Sequence, residues 1–316
     1  MYRIGIDLGG TNIAAGVVDE GQHIVAEVSL PTGAERPAEA VVADICRAAE
    51  KAMEKAGITA AHCASVGIGS PGTCDSANGV VVLAYILGWF NVPVCSMVTA
   101  RLGLPCRLSN DANCAALAET VAGGAVGCRN MILITLGTGV GGGIVADGQL
   151  LEGVGGTGAE VGHTVLVLDG EDCTCGRKGC WEAYASATAL IRMTKAAMEK
   201  HPQSAMHSMA AENGGVDGRT AFLAKARGDE AGTQVVEDYI EHLTCGLTNL
   251  VNIFFPEVLA LSGGVANQGD ALLLPLRERV RERSFGSRYA VSHTRIELCT
   301  LGYRAGVIGA AMLARE

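Results

Sequence analysis

The sequence predicts a mixed α/β protein with two related lobes and a cleft between them. Three observations indicate this fold class. Predicted strands are grouped as hairpins ahead of the helices and do not alternate strictly with them. A pattern of apolar strand, glycine turn and strand occurs in IGIDLGGTNIAAGVVDEGQHI and again in MILITLGTGVGGGIVADGQLL, which indicates a weak internal duplication. The chain has 316 residues, which is long enough for two domains.

The first half of the chain predicts hairpins interrupted by helices. Apolar residues that alternate predict strands, and apolar residues at helical spacing predict helices. The predicted elements are, in order, three strands within residues 1–30 with turns at Gly9-Gly10 and Glu20-Gly21, a helix at 37–56 ended by Gly57, a strand in SVGIGSPG, a buried strand at 80–84, a turn at Gly88, a helix starting near Asn91, a strand at 105–108 and a helix at 112–121.

The second half repeats the hairpin and then becomes mainly helical towards its end. The predicted elements are, in order, the hairpin in MILITLGTGVGGGIVADGQLL, a helix at 230–255, a strand at 258–261 followed by Ser262-Gly263-Gly264, a helix at 272–283, a strand at 295–299 and a final helix at 303–315.

Composition and charge favour a globular protein and argue against nucleic-acid binding and a membrane span. Hydrophobic residues make up 49% of the chain and glycine contributes 43 residues, as expected for a globular protein with many tight turns. The net charge of −9 and the lack of a Lys/Arg block argue against a nucleic-acid partner. The uncharged stretch at 76–100 contains glycine, asparagine and proline, so we expect buried structure there and no membrane span. The start MYRIGIDLGG lacks a signal-peptide pattern, which predicts a cytoplasmic protein.

Three glycine-rich turns follow predicted strands and are candidate phosphate-binding turns. They are Asp7-Leu8-Gly9-Gly10-Thr11, the run at 137–143, and Ser262-Gly263-Gly264. Glycine lets backbone N–H groups approach phosphate oxygens, and the hydroxyl groups of Thr11 and Thr138 add donors. Asp7, at a strand end, is suited to hold a hydrated Mg²⁺ ion. Each turn alone is also compatible with a plain hairpin, but the three together favour a nucleotide.

Two familiar nucleotide motifs do not fit this chain. Gly137, Gly139 and Gly142 match G-x-G-x-x-G, but the residues that follow predict a strand and not the helix that a dinucleotide fold requires. The P-loop motif G-x-x-x-x-G-K-[S/T] does not occur. A phosphate site here therefore depends on backbone N–H groups and Mg²⁺.

Polar residues open the helix predicted at 112–121. Ser109, Asn110 and Asp111 precede CAALAE closely, and these residue types are preferred helix N-caps. Capping alone would explain them. The alternative is that Asp111 is a general base and Asn110 binds a polar ligand, because ligands of α/β proteins lie where strands end and helices begin. The sequence leaves both roles open, and they are compatible.

A cysteine cluster follows the segment EVGH. Cys173, Cys175 and Cys180 lie within eight residues, and His163 lies ten residues before the first of them. One imidazole and three thiolates form a tetrahedral Zn²⁺ ligand set, and four protein ligands are typical of a closed, structural site. A disulfide between Cys173 and Cys175 spans too few residues for relaxed geometry. A thioredoxin-type Cys-x-x-Cys is absent, and the charged residues of the segment argue against a buried patch.

Two glutamates flank the predicted metal loop. Glu160 precedes His163 by three residues, and Glu182 follows Cys180 by two. They are compatible with solvated surface groups. The alternative is that the metal rigidifies a loop that presents both carboxylates to a polyhydroxylated ligand.

These motifs together resemble the ROK family of sugar kinases and repressors, within the wider actin/hexokinase-like ATPase fold. The matching segments are IGIDLGGTNIAAGVV, GIGSPG, SNDANCAALAE, ITLGTGVGGGIV, GAEVGH, CTCGRKGCWEAYAS and LSGGVAN, which extend over most of the chain. Within the family, the sequence looks most like the bacterial glucokinases. The resemblance implies two lobes with duplicated ribonuclease H-like domains and an interdomain cleft. It places the small lobe at 1–110 and 303–316 and the large lobe, with a metal loop at 163–180, at 111–302.

The resemblance also implies a role for each motif residue. It makes Asp111 the base that accepts the proton of a sugar hydroxyl. The implied sugar contacts are Gly72, Asn110, Asp111, Glu160, His163 and Glu182; the implied zinc ligands are His163, Cys173, Cys175 and Cys180; and the implied ATP contacts are Asp7, Gly9, Gly10, Thr11, Gly137, Thr138, Gly263 and Gly264. The implied cofactors are ATP, Mg²⁺ and structural Zn²⁺, and family members are commonly homodimers.

One residue departs from the glucokinase pattern. Ile86, in AYILGW, stands where many of these enzymes carry an asparagine close to the sugar. Glucose is therefore the first expected substrate, and N-acetylmannosamine, N-acetylglucosamine, allose and fructose stay open. A sugar-responsive repressor is the second hypothesis, but it would carry an added DNA-binding domain, and this chain is acidic. A chaperone-type ATPase is the third, but it would need neither the cysteine cluster nor the paired glutamates.

Overall fold

The computed structural model describes residues 1–286, 289 and 292–314. Its β-strands are β1 (Tyr2–Leu8), β2 (Asn12–Val18), β3 (Ile24–Pro31), β4 (Cys63–Ser70), β5 (Thr73–Asp75), β6 (Val80–Ala84), β7 (Trp89–Val92), β8 (Cys106–Asn110), β9 (Met131–Leu136), β10 (Val140–Ala146), β11 (Gln149–Leu150), β12 (Val258–Ser262) and β13 (Arg295–Leu298). Its α-helices are α1 (Ala38–Lys55), α2 (Val94–Leu102), α3 (Asp111–Ala122), α4 (Glu182–Ala185), α5 (Ala187–Lys200), α6 (Met206–Glu212), α7 (Thr220–Ala226), α8 (Glu230–Phe254), α9 (Asp270–Arg283) and α10 (Arg304–Met312).

The two large sheets share one strand order. The first sheet has the order β3-β2-β1-β4-β8, and the second has the order β11-β10-β9-β12-β13. In the first sheet β1, β2 and β3 form an antiparallel meander, and β4 and β8 continue the sheet in parallel with β1. The matching order agrees with the internal duplication that the repeated hairpin sequence indicates.

Glycine allows helix α10 to lie very close to its neighbours. A Cβ atom on Gly67 of β4 would lie 1.7 Å from the carbonyl oxygen of Ala310, and one on Gly309 would lie 1.7 Å from that of Cys114. No side chain larger than hydrogen fits at such distances. Helix α10 is thereby packed against both β4 and α3.

Packing contacts divide the chain into two compact units. The first comprises Met1–Met131, Gly143–Ala159 and Cys299–Glu316, and the second comprises Ile132–Gly142 and Glu160–Leu298. The boundary inferred from the sequence lies at residue 110, so this grouping differs from it. Helix α3 belongs with the first unit because it packs on α10 through Gly309.

Most predicted elements are present, with one correction in the stretch at 76–100. The helix expected to start near Asn91 starts at Val94, and residues Trp89–Val92 instead form β7, which pairs antiparallel with β6. The reason is Pro93, which lacks an N–H group and lies immediately before the first helical residue. The predicted final helix is present as α10, and its predicted last residue, 315, lies outside the described residues.

The second unit contains helices that the sequence patterns did not predict. Helices α4 to α7 lie between the cysteine cluster and the long helix α8. Three of them have seven residues or fewer, which is too short for a clear apolar period. Among the described residues, none of the helices combines the length and the apolar character that crossing a bilayer requires.

Candidate active site and metal centre

The first glycine turn holds Asp7 at the end of a buried strand. The N–H of Gly9 donates to the carbonyl oxygen of Asn12 (2.9 Å), and the hydroxyl of Thr32 donates to the carbonyl oxygen of Gly9 (2.7 Å). Gly306 of α10 leaves room for the Asp7 carboxylate, since a Cβ there would lie 2.4 Å from its oxygen. Burial, and then the nearby charge of Asp111, raises the pKa of Asp7 to about 6.

At the start of α3, the residue that caps the helix, Asn110, is not the predicted catalytic residue, Asp111. The side-chain oxygen of Asn110, the N-cap residue, accepts the N–H of Asn113 at 2.8 Å. Asp111 accepts the N–H of Ala112 at 2.9 Å; the residue as a whole keeps exposed surface, while its carboxyl group lies among protein atoms. Loss of hydration to the surrounding protein raises the pKa of the Asp111 carboxyl, against the opposing effect of the Ala112 N–H group. The carboxylate can therefore still accept a proton from a ligand.

Glu152 holds the end of strand β8, just before α3, and this role was not predicted from the sequence. Its Oε1 accepts the hydroxyl of Ser76 at 2.7 Å and also the hydroxyl of Ser109. The same Ser109 hydroxyl accepts the side-chain amide of Asn113 at 3.2 Å. Glu152 thus fixes the residue immediately before Asn110. No local pattern reveals this, because the partners lie 43 and 76 residues away along the chain.

Gly72 and Ile86, the two remaining residues that the sequence places near the sugar, both lie in the first unit. Gly72 has φ +87°, and a Cβ on it would lie 2.1 Å from the carbonyl oxygen of Leu83. Ile86 is 62% exposed, and its side chain lies over Gly10, where a Cβ would approach it to 2.5 Å. An aliphatic group therefore covers part of the first glycine turn.

The second and third glycine turns meet in the second unit. Gly263 has φ +90°, and a Cβ on it would lie 2.5 Å from the carbonyl oxygen of Leu136, the residue before Gly137. Strands β9 and β12 are neighbours in the sheet, so the turns that follow them lie side by side. The turn at 137–139 is shorter than the predicted run, because β10 already begins at Val140.

The four predicted metal ligands converge. One ligand atom from each of His163, Cys173, Cys175 and Cys180 lies within 4.8 Å of all the others. The Cys173 sulfur lies 3.6 Å from His163 Nδ1, and the sulfurs of Cys175 and Cys180 lie 3.6 Å apart. Zinc bonds of about 2.3 Å to sulfur and about 2.0 Å to nitrogen would give tetrahedral edges of about 3.5 to 3.8 Å. The donor set therefore fits a tetrahedral ion in both chemistry and spacing.

Two glycines shape the metal loop. The N–H of Gly176 donates to the carbonyl oxygen of Cys173 (3.0 Å), and the residue has φ +85°. Gly179 has φ +76°, and a Cβ there would lie 1.7 Å from the carbonyl oxygen of Val167. The backbone N–H of Arg177 lowers the pKa of the exposed Cys175 thiol to about 7. The loop thus presents one thiol that loses its proton readily near neutral pH.

The two glutamates beside the metal loop differ in environment. Glu160 is exposed. Glu182 accepts the N–H of Val140 at 2.9 Å through Oε2, and its Oε1 accepts the hydroxyl of Thr174 at 3.2 Å. The interpretation of Glu182 as a solvated surface group is therefore wrong. The sequence did not reveal its bond to the second glycine turn.

Known proteins are similar to this chain over nearly its full length. A family model described as "ROK family" matches residues 3–316. The chain is 38% identical to a glucokinase of Streptomyces coelicolor over 316 residues, covering 99% of this chain and 97% of the relative. It is 31% identical to an N-acetyl-D-glucosamine kinase of Salmonella typhimurium, covering 99% of each.

A solved structure agrees with the fold. The ROK family glucokinase from Streptomyces griseus, in complex with glucose and AMPPNP, matches with a TM-score of 0.80 and 36% identity, covering 100% of this chain and 99% of that one. These likenesses, together with the paired sheets, confirm the predicted actin/hexokinase-like fold class. The chain belongs to the ROK family.

Proposed function

We propose that this protein transfers the γ-phosphoryl group of ATP to a hydroxyl of a hexose, with glucose as the first candidate and its 6-hydroxyl as the acceptor. Full-length similarity to a ROK glucokinase crystallised with glucose and AMPPNP supports both substrates. The observation that carries the chemistry is the state of Asp111: Asn110 caps the helix, and burial among the surrounding protein atoms raises the pKa of the Asp111 carboxyl, on a residue that keeps exposed surface.

Asp111 is the proposed general base. Its carboxylate accepts the hydroxyl proton as the sugar oxygen attacks the γ-phosphorus, and the bond from that phosphorus to the β-phosphate bridging oxygen breaks to release ADP. A raised pKa suits this role, because a base is more effective when its proton affinity lies nearer the working pH. The network of Glu152, Ser109 and Asn113 fixes the strand end that carries the base.

The glycine turns and Asp7 are the proposed phosphate site. Backbone N–H groups at Gly10, Thr11 and Thr138 would donate to phosphate oxygens. Gly9 and Gly137 would shape the two turns, because their own N–H groups donate to the carbonyl oxygens of Asn12 and Gly139. Gly263 and Gly264 would lie by the adenosine. Asp7 would hold Mg²⁺, which supplies positive charge against the phosphoryl oxygens when bound. The high pKa of Asp7 fits such a role, since a nearby cation would offset the cost of its buried charge.

We assign the metal of the cysteine cluster as structural zinc. Four protein ligands fill a tetrahedral site, which leaves no position for a substrate. Its role is then to order the loop beside Glu160 and Glu182. The proposed sugar contacts are Gly72, Asn110, Asp111, Glu160, His163 and Glu182.

The sugar is tested by coupled ADP release with glucose, N-acetylmannosamine, N-acetylglucosamine, allose and fructose at equal concentrations. We expect glucose to give the highest kcat/KM, with product identified as the 6-phosphate. Turnover with none of these sugars, but specific binding of one, would favour the regulator that the ROK family also contains. A homodimer is also part of the proposal, and light scattering would then give about twice the chain mass of 32.4 kDa.

A further inference from the structure

The second glycine turn is anchored to the segment that follows the metal loop. The N–H of Ala187 donates to the carbonyl oxygen of Gly137 at 2.8 Å. The hydroxyl of Thr188 donates to the carbonyl oxygen of Thr138, also at 2.8 Å. The N–H of Val140 donates to Glu182 at 2.9 Å. Glu182 comes two residues after the metal ligand Cys180. The conformation of the turn therefore depends on where the metal loop places this segment.

Glu182 joins the turn and the metal loop with a single side chain. One carboxylate oxygen accepts from Val140, and the other accepts from Thr174 at 3.2 Å and lies 3.7 Å from the sulfur of Cys173. Thr174 lies between two metal ligands in the sequence. The fit is close, because a Cβ on Gly139 would lie 2.2 Å from the Glu182 oxygen.

A second contact links the metal loop to the second glycine turn. Gly162, the residue before the metal ligand His163, packs on the backbone of Val140, where a Cβ would lie 2.1 Å from the carbonyl oxygen. Val140 thus has its N–H held by Glu182 and its carbonyl covered by Gly162. Both neighbours lie within two residues of a metal ligand.

We propose that Glu182 is a positioning residue for the nucleotide: it transmits order from the metal loop to residues 137–140, so that metal occupancy sets the affinity for the triphosphate as well as for the sugar. This inference rests on the proposed function, which assigns the turn to phosphate. The physical reason is that an anchored turn has already lost backbone entropy before the ligand arrives, so that binding need not order it.

The test measures binding of AMPPNP by isothermal titration calorimetry, with Mg²⁺ and without sugar. Glu182→Ala removes both hydrogen bonds, and we expect its Kd to rise about tenfold, as for loss of one charge-assisted hydrogen bond. Glu182→Gln keeps an acceptor for Val140 and should restore most of the affinity. Glu171→Ala is the matched control, because Glu171 lies on the same loop, is exposed and pairs with Arg192. Its Kd should equal that of the wild type.

Metal removal provides the second arm. Stripping the metal from the wild type should raise the AMPPNP Kd by a similar factor, whereas in Glu182→Ala the further rise should be small, because the link is already broken. Additive losses would overturn the proposal. Hydrogen exchange at the amide of Val140 gives a readout besides affinity: exchange should speed up in Glu182→Ala and in the metal-free protein, with global unfolding unchanged in the variant.

The outcomes separate this inference from the proposed function. A wild-type protein that does not bind AMPPNP refutes the assigned nucleotide site itself. A wild type that binds, with a Glu182→Ala variant that binds equally well, refutes only the role of Glu182. A Glu182→Gln variant as weak as Glu182→Ala also refutes it, because the acceptor would then not be the property that matters.

Discussion

Replacing Asp7 with asparagine should stabilise the free protein at neutral pH while it abolishes phosphoryl transfer. The pKa of Asp7 is raised from 3.8 to about 6, first by burial and second by Asp111. A carboxyl with a raised pKa in the folded state favours folding while it is protonated, and this contribution is lost as the pH rises from 3.8 through about 6. The asparagine side chain stays neutral throughout, so the variant keeps the contribution at high pH.

The magnitude follows from the two pKa values. A pKa difference of about 2 corresponds to about 3 kcal/mol. The free energy of unfolding of Asp7→Asn should exceed that of the wild type by about 0.5 kcal/mol at pH 4, about 1.5 kcal/mol at pH 5 and about 3 kcal/mol above pH 7. This profile belongs to the free protein, since bound Mg²⁺ would stabilise the wild type selectively.

The assay is urea unfolding followed by circular dichroism between pH 4 and 8, without added Mg²⁺ or nucleotide. Asp147→Asn is the matched control in the same unit, because its side chain is 84% exposed and pairs with Arg129 at the surface. That control should differ from the wild type by less than about 0.5 kcal/mol at every pH. A difference for Asp7→Asn that does not vary with pH, or a variant less stable than the wild type at pH 8, would refute the reasoning.

Three further substitutions test other parts of the structure. Cys175→Ser should lose the bound zinc and with it most of the hexose affinity, as read by metal analysis and sugar titration, whereas Cys245→Ser should retain both; unchanged sugar affinity in metal-free protein would contradict this. Ile86→Asn should lower KM for glucose about tenfold, the value of one added hydrogen bond, with kcat unchanged. If the variant and the wild type had the same KM for every sugar of the hexose panel, Ile86 would not face the sugar. Glu119→Ala should lower the free energy of unfolding by about 3 kcal/mol or more, as measured by chemical denaturation. The reason is that Glu119 is 1% exposed and accepts the N–H groups of Gly124, Thr300 and Leu301. A loss below about 1 kcal/mol would mean that water replaces the carboxylate as acceptor.

The sequence predicted those features that local patterns encode. The strand hairpins follow from period-two alternation and glycine turns, and the shared order of the two sheets agrees with the repeated pattern. The four candidate metal ligands were identified because three cysteines and a histidine lie within eighteen residues, and in the structure the atoms of these residues lie close together. Roles that the resemblance implies for the sugar and phosphate contacts stay predictions.

Features that depend on distant partners could not be predicted. Glu152 and Glu119 look like ordinary polar residues in the sequence, yet each carboxylate accepts from groups far along the chain, up to 182 residues away for Glu119. Glu182 was recognised only as a neighbour of the cysteines, because its bond to Val140 crosses 42 residues. The start of α2 was misplaced because the residues before Pro93 pair with β6, and strand pairing is set by tertiary contacts.

The central claim is tested most directly by steady-state kinetics and glucose binding of Asp111→Asn beside the wild type. Asparagine keeps the shape of the side chain but cannot accept the hydroxyl proton. We predict that kcat falls by about 10²- to 10⁴-fold, the usual contribution of a general base, while the Kd for glucose changes less than about threefold. Turnover within about threefold of the wild type would contradict the assignment of Asp111 as the base.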